Sequence, residues 1–405
     1  MRNSITGLLV ASAAGLSVLV AATAASATDV KIGFLGGFTG PIESLVPPIH
    51  AGAELAVKQV NEQGGILGGG KLVMVQGDST CADATAASNA ADRMVNAEKV
   101  VALVGPLCSG ETIAAANSAA IPGGVVIVSP AATSPALSEI EDKDLLFRTT
   151  PSDAYSGEML AKVLKRKGVD SVAITYVNND YGKGFADALE AAFKKEGGTV
   201  AAKEAHEDNK ADYRAELGSL ASSGADMLVV LAYVDGSGQT IIRQALEGGD
   251  FSKFAGGDGM VGDSIVKAIG EGKLDGFIAT KIGRSETPGT AKYAELAKAA
   301  GLDPAASFGP QAYDAAFLIA LAIEKNGSDS REGVNKALRE VSSDPGEPIY
   351  PGEWEKAVKL IKEGKDINYE GASGSQEFDE AGDVPGVIIE MVVEGPGFKE
   401  VGQVN

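Results

Sequence analysis

Histidine is almost missing from this chain: His50 and His206 are the only two in 405 residues. A His-based triad or a His-rich metal centre has nearly nothing to be built from. Cysteine is equally scarce, with Cys81 and Cys108 alone. No Gly-Lys-Ser or Gly-Lys-Thr motif offers a nucleotide phosphate site, and no Gly-x-Ser-x-Gly elbow presents a serine nucleophile. Basic residues are outnumbered, 35 against 55 acids, for a formal charge of −20. That balance excludes nucleic acid and anionic lipid as partners. The acids are scattered and form no long block of one sign, which argues against disorder. No metal site and no cofactor is expected.

What is there begins with an export signature. Arg2 is followed by the apolar run Leu8–Val20 and by Ala25-Ser-Ala27, a small-x-small cleavage pattern. These read as a secretory signal peptide over 1–27, with an N-terminal anchor helix as the alternative. No cysteine stands at the cut to carry a lipid. The mature chain then begins near Thr28, carries a charge of about −21, and at roughly 378 residues is long enough for two domains. Nothing after the signal is long and apolar enough to span a bilayer. In an exported protein the isolated pair Cys81 and Cys108 reads first as a disulfide, with two free thiols as the alternative.

From Thr28 onward strand-like and helix-like segments alternate. Strands are expected at Val30–Leu35, Lys71–Val75, Val100–Val104 and Val125–Ser129, with helices at Ile49–Asn61, Ala82–Asn96 and Ser109–Ala119 between them. After Phe147-Arg-Thr-Thr-Pro151 a second series repeats the order, with strands at Ser171–Val177, Thr199–Glu204 and Asp226–Ala232. Two such series fit two similarly built α/β lobes around parallel sheets. Helices dominate from Thr287, and the tail Val387–Val393 returns to strand character. This order suggests re-entry into the first lobe and several crossings between lobes. The glycine-rich stretch Gln63–Gly70 ends a helix instead of opening one, so it reads as a cap and turn, not a dinucleotide fingerprint.

In this architecture ligands sit outside the carboxyl ends of the strands. Three polar connections lie there: Cys108–Thr112, Ser129–Ser134 and Asn178–Lys183. Ser109 stands at a helix start, where free N–H groups and the dipole favour an anion; it equally well caps its own helix. Ser129 and Thr133 offer further hydroxyls. Asp258, in Phe254-Ala-Gly-Gly-Asp-Gly-Met260, has the charge to meet an ammonium, although an ordinary Asx turn is the simpler reading of the residues alone. Tyr181 and Tyr233 end or follow apolar strands, as cleft walls or as lobe-edge packing.

Several stretches in order carry a resemblance: Lys31–Pro41 (KIGFLGGFTGP), Gly52–Val57, Asn61–Gly65, Leu107–Gly110, Ser129–Thr133, Phe147–Thr149, Asn179–Gly182 and Gly256–Gly259, with the cysteine pair. Across essentially the whole mature chain the sequence resembles the periplasmic branched-chain amino acid binding proteins of ABC transporters, the leucine/isoleucine/valine type. The resemblance implies a type I periplasmic binding fold, α/β, with two Rossmann-like lobes joined by a three-crossing hinge. It places 28–148 and 279–384 in the N-terminal lobe, and 149–278 and 385–405 in the C-terminal lobe. It implies a carboxylate held by Ser109 and Thr133 with backbone near Ala131. It implies an ammonium held by Tyr181 and Asp258, with Tyr233 lining the second lobe, and a disulfide between Cys81 and Cys108. Leu45 stands where many branched-chain binders carry an aromatic, and Asp258 where the family acid is often Glu. Tyr155 and Asp235 lie near the expected cleft loops as candidates to make up for Leu45.

The function expected is capture, without catalysis, of an amino acid or similar small molecule in a cleft, as a monomer in the periplasm, and its delivery to an ABC transporter permease. The competing readings are a sensor that passes the closed state to a receptor, a binder of another carboxylate or amide, and an enzyme using Ser109 or Cys108 as nucleophile. The last is opposed by the scarcity of histidine and the absent elbow.

Overall fold

The computed structural model describes residues 28–405; the expected signal segment 1–27 lies outside them. Two parallel sheets organise the chain. The first contains β1 (Val30–Gly36), β2 (Leu72–Asp78), β3 (Ala102–Val104), β4 (Val126–Ser129) and β5 (Leu146–Arg148), in the order β2-β1-β3-β4-β5. The second contains β6 (Ser171–Val177), β7 (Thr199–His206), β8 (Met227–Leu231), β9 (Phe254–Gly256) and β10 (Ile278–Ile282). A small pair, β11 (Glu347–Ile349) and β12 (Ile367–Tyr369), belongs to neither. The tail adds β13 (Ile388–Glu394) and β14 (Gly397–Gln403), antiparallel, to the open edge of β10. The second sheet thus reads β14-β13-β10-β9-β8-β6-β7, and its parallel part repeats the strand order of the first.

Val126–Ser129 and Met227–Leu231 are buried at every position, as strands covered by helices on both faces must be, so their sequences are apolar without alternation. The long helix Gly309–Asn326 is buried from Gly309 through Glu324, which explains an apolar pattern that runs all round it. It packs on the helix Val46–Glu62 and on β3 and β4, so the chain does re-enter the first lobe. Gly52 allows this contact: a Cβ there would stand 2.2 Å from the Gly309 carbonyl oxygen. Inside that helix the buried Asp314 accepts from Tyr369, Ala372, Ser373 and Gln376, and so anchors the segment that leads back out.

The chain passes between the sheets after Arg148, after Ile282 and before Ile388. The second passage differs from the boundary expected at 278/279. Ile278 and Ala279 pair with β9 and the whole of β10 pairs with β13, so the strand stays in the second sheet to Ile282. Strands β5, β9, β10, β11, β12 and β14 lie outside those expected above. Four are only three residues long, and β14 is a largely exposed edge, so neither length nor periodicity marks these five. Gln63–Gly70 is the expected cap and turn, closed by an Ile66–Gly70 bridge.

Cys81 and Cys108 form a disulfide across a sequence separation of 27. It joins the turn after β2 to the residue that precedes the helix Ser109–Ala115. Closing a loop of that length stabilises the fold by about 3.5 kcal/mol in the chain-entropy treatment. Replacing both cysteines with serine should lower the unfolding free energy by about 3 kcal/mol in a denaturant titration; an unchanged midpoint would mean that the bridge contributes nothing.

Candidate functional site

In a parallel sheet of this order the two connections leaving β1 and β3, or β6 and β8, diverge to opposite faces and leave a crevice between them. The two crevices face each other. Between them lies a pocket walled by Ile42, Leu45, Ile49 and Phe308 on the apolar side, and by Leu107–Ser109, Ala131, Tyr181, Tyr233, Asp258 and Gly259 elsewhere. Hydrogen bonds close the lobes over it: Asp235 accepts from Ser44 N–H at 2.9 Å and donates its own N–H to Pro41, and Ser134 Oγ donates to the Asp180 carbonyl at 2.8 Å.

On the first lobe, Cys108 occupies the cap position and Ser109 is the first helical residue, so Ser109 does not cap its own helix. Its hydroxyl accepts from Ser134 N–H at 3.1 Å, which leaves its own proton to donate. Ser129 is consumed internally: its Oγ donates to the Pro106 carbonyl and accepts from Ala132 N–H. It shapes the loop and is not a pocket group. Thr133 Oγ1 is buried and has no hydrogen-bond partner among the described residues. Arg148, 1% exposed, holds this loop from behind. Its guanidinium donates to the carbonyls of Ala132 and Ser134 and pairs through two nitrogens with Asp383, just before the last crossing.

On the second lobe, Tyr181 and Tyr233 stack with ring centroids 5.2 Å apart. The helix carrying Tyr181 starts at Asp180, inside the polar connection Asn178–Lys183, because Asn179 caps it by accepting from Gly182 N–H. The same Asn179 donates to Tyr233 Oη at 3.1 Å. Tyr181 Oη donates to Asp258 Oδ1 at 3.1 Å and accepts from Gly259 N–H at 3.2 Å. Gly259 must lack a side chain here, since a Cβ would stand 2.7 Å from the Ala232 carbonyl oxygen and 2.8 Å from Tyr181 Oη. Burial raises the pKa of Asp258, and the Tyr181 and backbone donors only partly offset it. Burial, then the Asp258 and Asp153 charges, hold Tyr181 well above its usual range, so it stays a donor.

Sequence reasoning missed Asp153 and Phe308. Asp153 opens the helix Asp153–Arg166, and its N–H donates to the Thr133 carbonyl at 2.8 Å. It is fully buried, and neither carboxylate oxygen has a hydrogen-bond partner among the described residues. The Thr133 and Ser156 hydroxyls lie close enough to favour its anion, but without hydrogen-bond alignment. Burial first and the Asp258 charge second push its pKa well up, a sign that the two acids act on one space. Only its place at a helix start pointed to it. Phe308 comes from a loop remote in sequence, and Leu45 faces the same pocket. Tyr155, expected near the cleft, is instead 37% exposed and does not line the pocket; Asp153 and Ser156 take the inward face of its turn.

Cys108 and both histidines are committed elsewhere. Cys108 is tied to Cys81. His206 is buried between Thr175 Oγ1 and Ser237 Oγ, and burial lowers its pKa to about 4. His50 packs edge-on against Phe34 and Phe38. What remains is a pocket between the lobes with the Ser109 hydroxyl on one side and the Asp258 carboxyl on the other; Thr133 and Asp153 do not line it.

Such a pocket between repeated α/β lobes defines a solute-binding protein. The profile of a family described as periplasmic binding protein matches residues 29–357, and the chain belongs to that family. It is 31% identical over 316 residues to the leucine-, isoleucine-, valine-, threonine- and alanine-binding protein of Pseudomonas aeruginosa, covering 78% of this chain and 83% of that one. Among solved structures, the branched-chain amino acid transporter substrate binding protein LivJ of Streptococcus pneumoniae, in complex with isoleucine, superposes with a TM-score of 0.74 at 25% identity, over 93% of this chain and all of the other. The leucine binding protein LivK of Thermotoga maritima gives 0.78 at 24% identity, covering 93% and 99%. A solute binding protein of R. palustris in complex with benzoate gives 0.73 at 17%, covering 93% and 96%. At those last two identities the likeness is one of fold.

A raised carboxyl pKa means that the folded chain keeps a proton which the unfolded chain releases. Stability therefore falls as pH rises from the ordinary carboxylate range toward the folded value. Asp153→Asn removes that loss. Without ligand, its gain in melting temperature over the wild type should be larger at about pH 8 than at about pH 4; equal gains would show that the carboxyl is not strained by burial.

Proposed function

We propose that this chain is the periplasmic capture component of an ABC transporter, and that it holds an amino acid with an apolar side chain between its lobes. The observation that carries the reading is the pairing of opposite chemistries across one small pocket. Ser109 and Thr133, at a helix start and in a hydroxyl-bearing loop, suit an α-carboxylate. Asp258 and Asp153, both raised in pKa in the empty protein, suit an α-ammonium, which returns to each the counter-charge it lacks. Ile42, Leu45, Ile49 and Phe308 suit an apolar side chain and reject a charged one.

Desolvating a zwitterion is unfavourable unless every charge finds a partner, so the ligand binds only where both lobes reach it. It thereby favours the closed arrangement over the open one. The closed face then docks on the permease, which couples release to ATP use on the opposite side of the membrane. The export signature, the family and the acidic, scattered surface charge support a free periplasmic monomer. Catalysis has no support from the committed cysteine and histidines.

Calorimetric titration of the purified protein with L-leucine, L-isoleucine and L-valine tests the reading, with benzoate and an amide as contrasts. Saturable heats are expected for the amino acids. Asp258→Ala should lose at least a hundredfold in affinity while its far-UV dichroism stays unchanged. Binding of benzoate in preference to every amino acid would overturn the ligand class, and undiminished leucine binding by Asp258→Ala would overturn the ammonium role.

A further inference from the structure

Glu111 lies outside the pocket and no step above uses it. It sits in the first turn of the helix Ser109–Ala115 and is 6% exposed. Across the cleft stands Asp180, in the first turn of the second-lobe helix Asp180–Lys195. The approach is close: a Cβ at Gly110, beside Glu111, would be 3.2 Å from Asp180 Oδ2, and the two helices touch. From its own lobe Glu111 is faced by Asp83, the cap of the neighbouring helix Ala84–Asp92, whose carboxylate is committed to the N–H groups of Thr85 and Ala86. The Cys81–Cys108 sulfurs lie within 4.8 Å of a Glu111 oxygen. Tyr233 faces it from the second lobe. The charges acting on Glu111 are both negative, from Asp180 and Asp83, and its own N–H is the donor that favours the anion.

Part of this enclosure belongs to the other lobe. When the lobes separate, Asp180 and Tyr233 withdraw and water returns to the Glu111 carboxyl. We propose that Glu111, buried where its helix meets the helix of Asp180 across the cleft, makes lobe closure proton-linked, with a proton taken up at Glu111 as the cleft shuts.

In the closed form, burial first and then the Asp180 and Asp83 charges raise the Glu111 pKa from about 4.5 to about 7. In the open form a rehydrated glutamate, with Asp83 and the disulfide still beside it, lies closer to its ordinary value, and that value sets upper bounds on the proton uptake and the affinity change. The closed form therefore binds more protons between these limits. Closure is favoured below about pH 4.5, is increasingly opposed as pH rises, and levels off above about pH 7. Near pH 6 the uptake at this group is about 0.9 proton per closing event. In an alkaline periplasm Glu111 works as a spring that holds the empty protein open, and acidification relaxes it.

Burial raises the Asp153 and Asp258 carboxyls as well, so the test compares wild type with Glu111→Gln, which leaves both acids in place. The probe is L-leucine, and in this respect the experiment rests on the capture reading. The ratio of wild-type to E111Q dissociation constants should rise about twentyfold between about pH 5.5 and pH 7.5. Near pH 6, titrations in buffers of different ionisation enthalpy should show close to one more proton taken up by the wild type. Parallel pH profiles with equal uptake would overturn the proposal. If leucine gives no heat with either protein, the ligand reading fails, and small-angle scattering of the ligand-free chains decides closure. The wild type should expand between about pH 5.5 and pH 8 more than E111Q does, and equal radii at both pH values would overturn the linkage.

Discussion

A charge taken out of water needs a counter-charge or a full set of hydrogen bonds, and this requirement divides the molecule in two. In the permanent structure, buried charges are surrounded by several partners, although burial still raises the Asp314 pKa to about 6. Arg148 is spanned by Asp383 and two loop carbonyls, Asp314 accepts from a tyrosine, a serine, a glutamine and two backbone N–H groups, and Glu390 pairs with Arg166 and Lys167. Where the two lobes meet, the requirement is not met. Asp153 has no hydrogen-bond partner among the described residues, Asp258 has Tyr181 and nearby backbone, and Glu111 faces other acids. Three acids without a counter-charge, Asp153, Asp258 and Glu111, thus lie where the lobes meet.

The satisfied set supports the unsatisfied one. Arg148 fixes the carbonyls on either side of Thr133, and through Asp383 it ties that loop to the segment leading into the last crossing. Ser129 bonds Pro106 and Ala132, joining the same loop to the turn that presents Ser109. The disulfide pins that turn to the end of β2. The first-lobe half of the pocket is therefore stiff, with donors aimed before any ligand arrives, which limits the ordering that binding must impose.

Much of this was legible in the sequence, for identifiable reasons. Buried parallel strands such as Ser171–Val177 are continuous apolar runs, and the strand-end loops that hold chemistry announce themselves by polar residues after such runs. Ser109, Ala131, Tyr181, Tyr233 and Asp258 all line the pocket or its immediate wall, and so does Leu45. The cysteine pair was equally plain. What escaped depends on contacts distant in sequence. Three-residue strands carry no period, and β10 ends four residues beyond the expected boundary because its partners, β9 and β13, are remote. Asp153 reads as one more acid at a helix start, and only the fold shows that it faces Thr133 and Asp258. Tyr155 stands near an expected cleft loop, but helical spacing turns it outward while Asp153 and Ser156 are buried.

The same constraint bears on how ligand choice and motion are coupled. The direct hydrogen bonds between the lobes are few and neutral or surface-exposed, such as Ser134 to the Asp180 carbonyl and Ser44 to Asp235. Bonds of this kind contribute only about 1 kcal/mol each once water is accounted for, which is too little to outweigh several desolvated carboxyls. These bonds alone therefore do not drive closure, and a ligand shifts it only by what it contributes differently to the two states. A group that neutralises Asp258 and Asp153 together makes a contribution that an apolar filler of the Leu45–Phe308 wall cannot. On the proposed reading, selection at the ammonium end and closure of the cleft are one electrostatic event, and the side-chain wall refines the choice among ligands that have already satisfied it.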